Sequence, residues 1–451
     1  MMERYYQRKF KYEYKVIAFC DNNEDKIGKS YDGIPIIPIN KLWDYQEKII
    51  ICTTLYYQEI GAQLVKMGIR NLLYYVSVSG MIMPYNTYQV YPAYGEIKRV
   101  LFVQTIQCMR TYKIASAIHE KGIKVDLAYT AANPYAVSPD WMMPYENIIA
   151  INDIGTFINM VNAEDYDIIH CSNEPDTLCT LLLNTNKPVV HDTHDMMSLR
   201  GDISFEQLVD EYTATVKSAG NMYVTEKIKE IAIKKYGIGY KNVFVINNYI
   251  LNNQKPTQFL PKLSKQDGEI HCVYEGGVGK DVNTHRYYEV MWRKIAEKGI
   301  HVHFYAYYTT NEEYYIELDK MSPYIHYEGH KNPQELMTLL TQYDVGLVLL
   351  NITPREEIFL QTTFPNKIFE YLNAALPVAV SNIDSLKEFV DQYGIGMYLD
   401  FSEDIKRIIE EIAKIKIDKD FLYENSLTMN SRANEIIEFY SAVKAQYDKE
   451  R

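Results

Sequence analysis

No run of apolar residues in this 451-residue sequence approaches the roughly 18 that a membrane span requires, and no signal-peptide core stands at its start. Neither a spanning helix nor secretion is expected. Cysteine is sparse: Cys20, Cys52, Cys108, Cys171, Cys179 and Cys272 are scattered, without a C-x-x-C pair or histidine-rich spacing. That excludes a disulfide framework and a cysteine-based zinc site, and it suits a reducing cytoplasm. Positive charge is in deficit, with 47 Lys and Arg against 59 Asp and Glu and a net charge of −12, which argues against nucleic acid as a partner. Two phosphate-binding signatures are also missing. No G-x-G-x-x-G precedes the first strand-like run "YKVIAF", and no G-x-x-x-x-G-K-[ST] loop occurs.

What is present is the composition of an ordinary globular protein, 47% hydrophobic and 24% charged, in a chain long enough for two or three domains. One local excess of positive charge is "MMERYYQRKFKYEYK", which suits either a solvated helix flank or peripheral contact with the anionic inner membrane surface. Tyrosine is abundant at 41 residues; its ring stacks well on sugars, although most must serve as core or surface residues.

Short β-branched runs alternate with helical stretches throughout, the pattern of parallel α/β units. Residues 1–80 hold "YKVIAFCDNN", a strand ending in Asp21, then "KIIICTT" and the helix "YQEIGAQLVKMGI". An acid at a strand end is where a dinucleotide fold grips ribose, but without the glycine-rich loop this block is an incomplete Rossmann-like unit. Residues 81–97 read as a linker. Residues 98–252 contain "RVLFVQ", the loop "TIQCMR", the helix "TYKIASAIHEKG", "KVDLAY", "YDIIHCSNEPD", "KPVVHDTHD", "GNMYVT" and "NVFVINNYI". A linker at 253–268 leads to residues 269–430, with "IHCVYEGGVGK", "HVHFYAY", "IHYEG", "VGLVLLN" and "PVAVSN" as strands. Residues 431–451 form a closing amphipathic helix, with Ile436, Tyr440, Val443 and Tyr447 on one face. In open parallel sheets, ligands bind outside the carboxyl ends of the strands, so polar residues there, from His170 to Asn248, are candidates for chemistry.

The stretch "FPNKIFEYLNAALPVAVSN" places Ile368, Tyr371, Leu372 and Ala375 on one helical face, with Lys367 and Glu370 on a neighbouring one. Pro365 is expected in the first helical turn. The free N–H groups at such a helix mouth suit a diphosphate, Lys367 can help neutralise it, and Glu370 can accept hydrogen bonds from both ribose hydroxyls. The alternative is an i,i+3 ion pair on a solvated face. In "EGGVGK", glycines after a strand let phosphate approach the backbone; Lys280, and Arg286 at an expected helix start, are the basic candidates. "HDTHD" at 191–195 concentrates polar groups beyond a buried strand. His194 can bond a sugar hydroxyl or act as a base, while Thr193 or Asp195 can instead cap a helix. "DYD" at 165–167 offers two carboxylates but reads as the lead-in to a strand.

These motifs carry a resemblance. "FCDNNEDKIGKSYDGIPII" is similar to the N-terminal Rossmann-like domain of sugar-modifying enzymes, including bacterial sugar acyltransferases. Residues 98–451 resemble the bacterial GT-B glycosyltransferases of the retaining family-four type, through "YDIIHCSNEPD", "KPVVHDTHD", "VFVINNY", "VYEGGVG", "IHYEGHKNPQELMTLLTQYDVGLVLL" and "FPNKIFEYLNAALPVAVSN". The resemblance implies two facing Rossmann-like domains preceded by the small α/β unit. A nucleoside-diphosphate sugar would be held by the C-terminal domain, with a glycan, lipid-linked or protein acceptor on the other, and no metal or other cofactor. It assigns ribose binding to Glu370, a place near the transferred sugar to His194, and the diphosphate loop to Gly276 and Gly277, with Lys280 in place of the family's basic residues. Catalysis is thus expected at His194, Lys280 and Glu370. Donor contacts are expected at Gly276, Gly277, Arg286, Asn366, Lys367 and Glu370, and the acceptor or sugar side at Arg110, His170 and Asp195. The chain departs from the family where its first conserved glutamate is expected, at Thr362. Three functions follow: a hexosyltransferase of surface-glycan synthesis, a non-catalytic GT-B subunit, or a nucleotide-sugar epimerase.

Overall fold

The computed structural model describes residues 15–21, 25–44, 49–51, 60–61, 64, 72–76, 81–84, 96–130, 143–201, 203–239, 242–306 and 311–450. The chain forms two compact units, Met1–Ala93 and Tyr94–Arg451.

In the first unit, Phe19–Cys20 runs parallel to Ile34–Ile37, which pairs antiparallel with Ser30–Tyr31. Separately, Ile49–Ile51 runs parallel to Leu72–Val76. The reading of 81–97 as linker is corrected here: the apolar run Met81–Pro84 pairs antiparallel with Leu72–Val76. Asp21, the expected strand-end acid, takes a 2.9 Å ion pair from Lys26. Of the helix expected over "YQEIGAQLVKMGI", Ile60, Gly61 and Leu64 are helical; its other residues, and residues 1–14 of the basic segment, lie outside the described residues.

The second unit contains two parallel sheets. The first is built from β1 (Arg99–Gln104), β2 (Lys124–Tyr129), β3 (Asn147–Ala150), β4 (Ile168–Ser172), β5 (Val189–Thr193), β6 (Gly220–Tyr223) and β7 (Val243–Val245). The second is built from β8 (His271–Gly276), β9 (His301–Ala306), β10 (Ile325–Tyr327), β11 (Val345–Val348), β12 (Val378–Val380) and β13 (Gly396–Tyr398). Their central runs, such as Leu101–Val103 and Val345–Val348, are buried on both faces, as continuous apolar sequence under two helical layers requires. The sheet orders are β7-β6-β5-β4-β1-β2-β3 and β10-β9-β8-β11-β12-β13. Each sets its first strand beside its fourth, so the crossovers reverse direction there and a crevice opens beyond the strands' carboxyl ends. The edge strands β3 and β13, short and half-buried, have no counterpart in the sequence reading.

Helix α1 (Met109–His119) follows β1, its start capped by Cys108, whose sulfur accepts from the Thr111 amide. "TIQCMR" is therefore not wholly loop, and Arg110 lies in the first helical turn, turned inward. The closing helix, α3 (Ala433–Glu450), buries Ile436, Tyr440 and Val443 and returns to the first sheet. Phe439 stacks on Phe244 at 5.2 Å, and the Tyr440 hydroxyl meets His170 Nδ1 at 2.7 Å. A Cβ on Gly220 would stand 2.5 Å from Val443, so glycine there admits the helix.

Beneath that helix lies a buried polar network. Arg110, 4% exposed, donates to both oxygens of Asp192 at 2.8–3.1 Å, to the Ile246 carbonyl at 2.8 Å and to Asn248 at 3.0 Å. His170 Nε2 meets the same Asp192 carboxylate at 3.2 Å. The expectation that Arg110 and His170 face a sugar is corrected on this geometry: their polar atoms are spent inside the domain, bracing β4, β5 and the chain after β7. Asp167 of "DYD" likewise accepts from the Lys98 and Arg99 amides at 2.7 and 3.0 Å and joins strands, not a cation.

Candidate active site

The second sheet's crevice opens where β8 ends beside β11. Here the chain turns at Gly276 (φ 128°) and Gly277. Tyr274 holds the turn by donating to the Gly277 carbonyl at 2.8 Å. The loop beyond folds back because Asn351 donates to the carbonyls of Val282 and Thr284 and Glu356 accepts from the His285 amide, each at 2.9–3.0 Å. Arg286, in this loop and not at a helix start, thereby lies over Gly277: a Cβ built there would stand 2.7 Å from Arg286 Nη1.

Helix α2 (Lys367–Asn373) supplies the facing wall. Tyr371 anchors it by lying flat against Gly346 of β11, where any Cβ would come within 2.4 Å of the ring, and by accepting from the Glu275 amide at 3.0 Å. One turn earlier, Lys367 extends over the Tyr274 ring at 3.8 Å, with Nζ 3.2 Å from the position of a Cβ on Gly276. Two cations therefore converge on two adjacent glycines, both of whose missing side chains leave room for them. Pro365 precedes the helix, which begins at Lys367 after Asn366, and Asn366 Oδ1 is buried without a partner. A helix of seven residues carries a small end charge, so the positive potential here comes chiefly from Lys367 and Arg286. Lys280, by contrast, is exposed.

Glu370 lies on the same helix, against Glu275. Burial, followed by the neighbouring Glu370 carboxylate, pushes the Glu275 carboxyl well above its ordinary value. Lys113, reaching across from α1, is fully buried beside both acids and donates to the Asn248 carbonyl at 3.5 Å; burial lowers its pKa. Burial also lowers Lys367 to about 8, with Glu275 holding it up and Arg286 pressing it down. Lys113 and Glu275 were not singled out from the sequence. The only signal was the position of Glu275, immediately ahead of the glycine pair.

Across the crevice, "HDTHD" divides. His191, Asp192 and Thr193 belong to β5 and are buried, with His191 paired to Asp176 at 2.8 Å; neither Thr193 nor Asp195 caps a helix. Only His194 and Asp195 pass the strand end. His194 Nε2 stands 3.5 Å from Glu174, and Nδ1 is buried without a partner. Burial would lower its pKa, but Glu174 and Asp195 outweigh it and raise it to about 9. His194 is thus an imidazolium at neutral pH, a hydrogen-bond donor and not a base. Arg200 bridges Glu174 and Asp195 and stacks on Phe359 of the other domain at 5.0 Å. Glu174, His194 and Asp195 have ligand atoms within 4.8 Å of one another. The Arg200 guanidinium and the His194 imidazolium together balance the two carboxylates, so this trio is not a cation cage.

The domains meet beside this crevice. Thr362 is buried, its hydroxyl closed onto the Phe359 carbonyl at 2.6 Å and its own carbonyl accepting from Thr225 at 3.0 Å. It lies in the interdomain contact and offers no polar atom to a ligand.

Residues 291–425 match the family model of the glucosyltransferase 3-like C-terminal domain, and residues 1–72 that of the C2185-like N-terminal domain. No curated protein matches the chain in sequence. Among solved structures, Anabaena HepE in complex with UDP and glucose is similar over 78% of this chain and 98% of its own, at 15% identity and a TM-score of 0.52. AviGT4, a glycosyltransferase involved in avilamycin A biosynthesis, matches over 77% and 98% at 11% identity and 0.51. A Rickettsia africae glycosyltransferase matches over 79% and 98% at 12% identity and 0.52. With its two parallel sheets meeting at a shared crevice, the second unit of this chain has the GT-B fold of these glycosyltransferases.

Proposed function

We propose that this protein moves a hexose-type sugar from a nucleoside-diphosphate sugar to a glycan, lipid-linked or protein acceptor, acting on the cytoplasmic side in bacterial surface-glycan synthesis. The observation that carries this reading is the convergence of Lys367 and Arg286 on Gly276–Gly277, with Glu370 one helical turn away. Glycines let the diphosphate reach the backbone, the two cations neutralise it, and Glu370 accepts from the ribose hydroxyls. Similar solved structures hold UDP and UDP-glucose, which supports a uridine donor. The glucosyltransferase-type match over 291–425 covers most of the donor domain.

In a retaining transfer, the bond between the sugar's anomeric carbon and the diphosphate oxygen breaks and the acceptor oxygen replaces it on the same face. The acceptor's proton passes to the departing phosphate. No protein base is then required, which agrees with a His194 that is already protonated. His194 would donate to the sugar, and Lys367 and Arg286 would stabilise the charge growing on the leaving group, the principal catalytic effect in this scheme. No metal enters the scheme.

The test is nucleotide release from a panel of UDP- and GDP-sugars with and without acceptor glycans. Release from at least one donor is expected, lost in Glu370→Ala and reduced in His194→Ala. The second reading, a non-catalytic GT-B subunit, is favoured by Thr362, which stands where the resembling family has a glutamate and is closed off from ligand. Donor binding without turnover across the panel would select it.

A further inference from the structure

Four of the chain's ten histidines stand together at the end of the second sheet opposite the Gly276–Gly277 turn. His271 opens β8, His301 opens β9, His303 follows two residues on, and His326 lies in β10. The register pairs His271 with His301 and His303 with His326. Paired residues and their i+2 neighbours project from one face of a sheet, so all four imidazoles share a face. Their rings stack as two rungs, His271 on His301 at 4.3 Å and His303 on His326 at 4.4 Å.

Hydrogen-bonding rows cross these rungs. In one, Asp267 meets His271 Nε2 at 3.0 Å, His271 Nδ1 meets His303 Nε2 at 2.9 Å, and His303 Nδ1 meets Glu328 at 2.7 Å. That row has three gaps, each needing a proton, while two neutral imidazoles bring two. The middle gap is therefore short of one positive charge whenever both outer N–H groups serve their carboxylates. Two inward-facing lone pairs, each on a ring whose other nitrogen donates to a carboxylate, form the arrangement that orients histidine toward a metal. The other row, from Glu269 through His301 to His326 at 2.7 and 2.8 Å, has two gaps for its two protons and is complete.

We propose that His271, His303 and His301 bind one divalent transition-metal ion of the zinc class, strapping β8 to β9 at the base of the donor domain. One ligand atom from each of the three lies within 4.8 Å of the other two. Tetrahedral zinc at about 2.05 Å from each nitrogen sets ligands about 3.3 Å apart, so the 2.9 Å gap opens only slightly. His301 completes the set by releasing one of its present partners, and water takes the fourth position. Imidazole suits zinc, nickel or copper, and a hard cation such as magnesium is refused. Asp267 and Glu269, each 42% exposed, mark the entry and attract the ion. Five residues of extended strand separate this site from the donor crevice by about 17 Å, so its work is structural and leaves the metal-free transfer scheme intact.

The test uses the full chain, stripped with EDTA and freed of chelator, titrated with zinc chloride against a chromophoric indicator and followed by thermal melting. One equivalent is expected to bind with Kd on the order of 1 µM or tighter, raising the Tm, with magnesium chloride unable to compete. Glu328→Gln, which keeps all three ligands, is expected to weaken binding about 10- to 100-fold. His303→Gln is expected to abolish it. Absence of stoichiometric binding, equal binding of magnesium, or unchanged affinity in Glu328→Gln would each overturn the proposal; Glu328→Gln carries the test if His303→Gln does not fold.

Discussion

Lys367 shows how one residue's surroundings set its chemistry. Spacing in "FPNKIFEYL" made it and Glu370 legible as a pair, and the i,i+3 geometry is as expected. Their electrostatics were not legible, because they arise from burial and from Glu275 and Arg286, which lie far away in the sequence, on β8 and the loop beyond it. A lysine held near 8 is charged at neutral pH and loses its charge as pH rises through that value. Since the positive form attracts phosphate, kcat/KM for the donor is expected to fall above pH about 8. Losing a charge-assisted contact of about 1.5–3 kcal/mol corresponds to about ten- to a hundredfold. Lys367→Arg, which keeps its charge, should flatten the profile. Initial rates of nucleotide release between pH 6.5 and pH about 9.5 check this; a wild-type kcat/KM that does not fall would contradict it. Thr362 teaches the same lesson differently: sequence locates the departure from the family pattern, and only packing reveals that the position lies inside the interdomain contact.

Strand β5 carries the lesson at the scale of an element. The rule that chemistry gathers beyond the carboxyl ends of parallel strands pointed to "HDTHD", and the strand end falls between Thr193 and His194. Sequence bounds cannot resolve one residue, and here one residue separates a buried strand group from one beyond the strand end. Asp192, buried on a strand covered on both faces, must be paired, and Arg110 and His170 pair it. This explains why those two residues, which looked like site residues, brace the sheet instead. Removing the acid leaves a guanidinium buried without its counter-charge. Asp192→Ala is therefore expected to lose about 3–5 kcal/mol of stability, read as a lowered urea midpoint. A midpoint within error of wild type would show that the network does not hold the domain.

For the whole molecule, the succession of strands and helices along the chain was largely legible, because continuous apolar runs separated by helical periodicity can form little other than parallel sheets with helices on both faces. The first unit was less so. Its strands are short, and Met81–Pro84 has no alternation to distinguish a strand from a linker. The histidine ladder was missed because its four members are spread from 271 to 326, and only the parallel register of β8, β9 and β10 brings them together. What the two sheets accomplish jointly is a crevice with cations on one wall and a charged histidine on the other. The most direct test of its purpose is a crystal structure of the full chain with UDP. The expected result is the diphosphate on Gly276–Gly277 between Lys367 and Arg286, with both ribose hydroxyls on Glu370. A diphosphate seated away from that turn, or a ribose out of reach of Glu370, would contradict it.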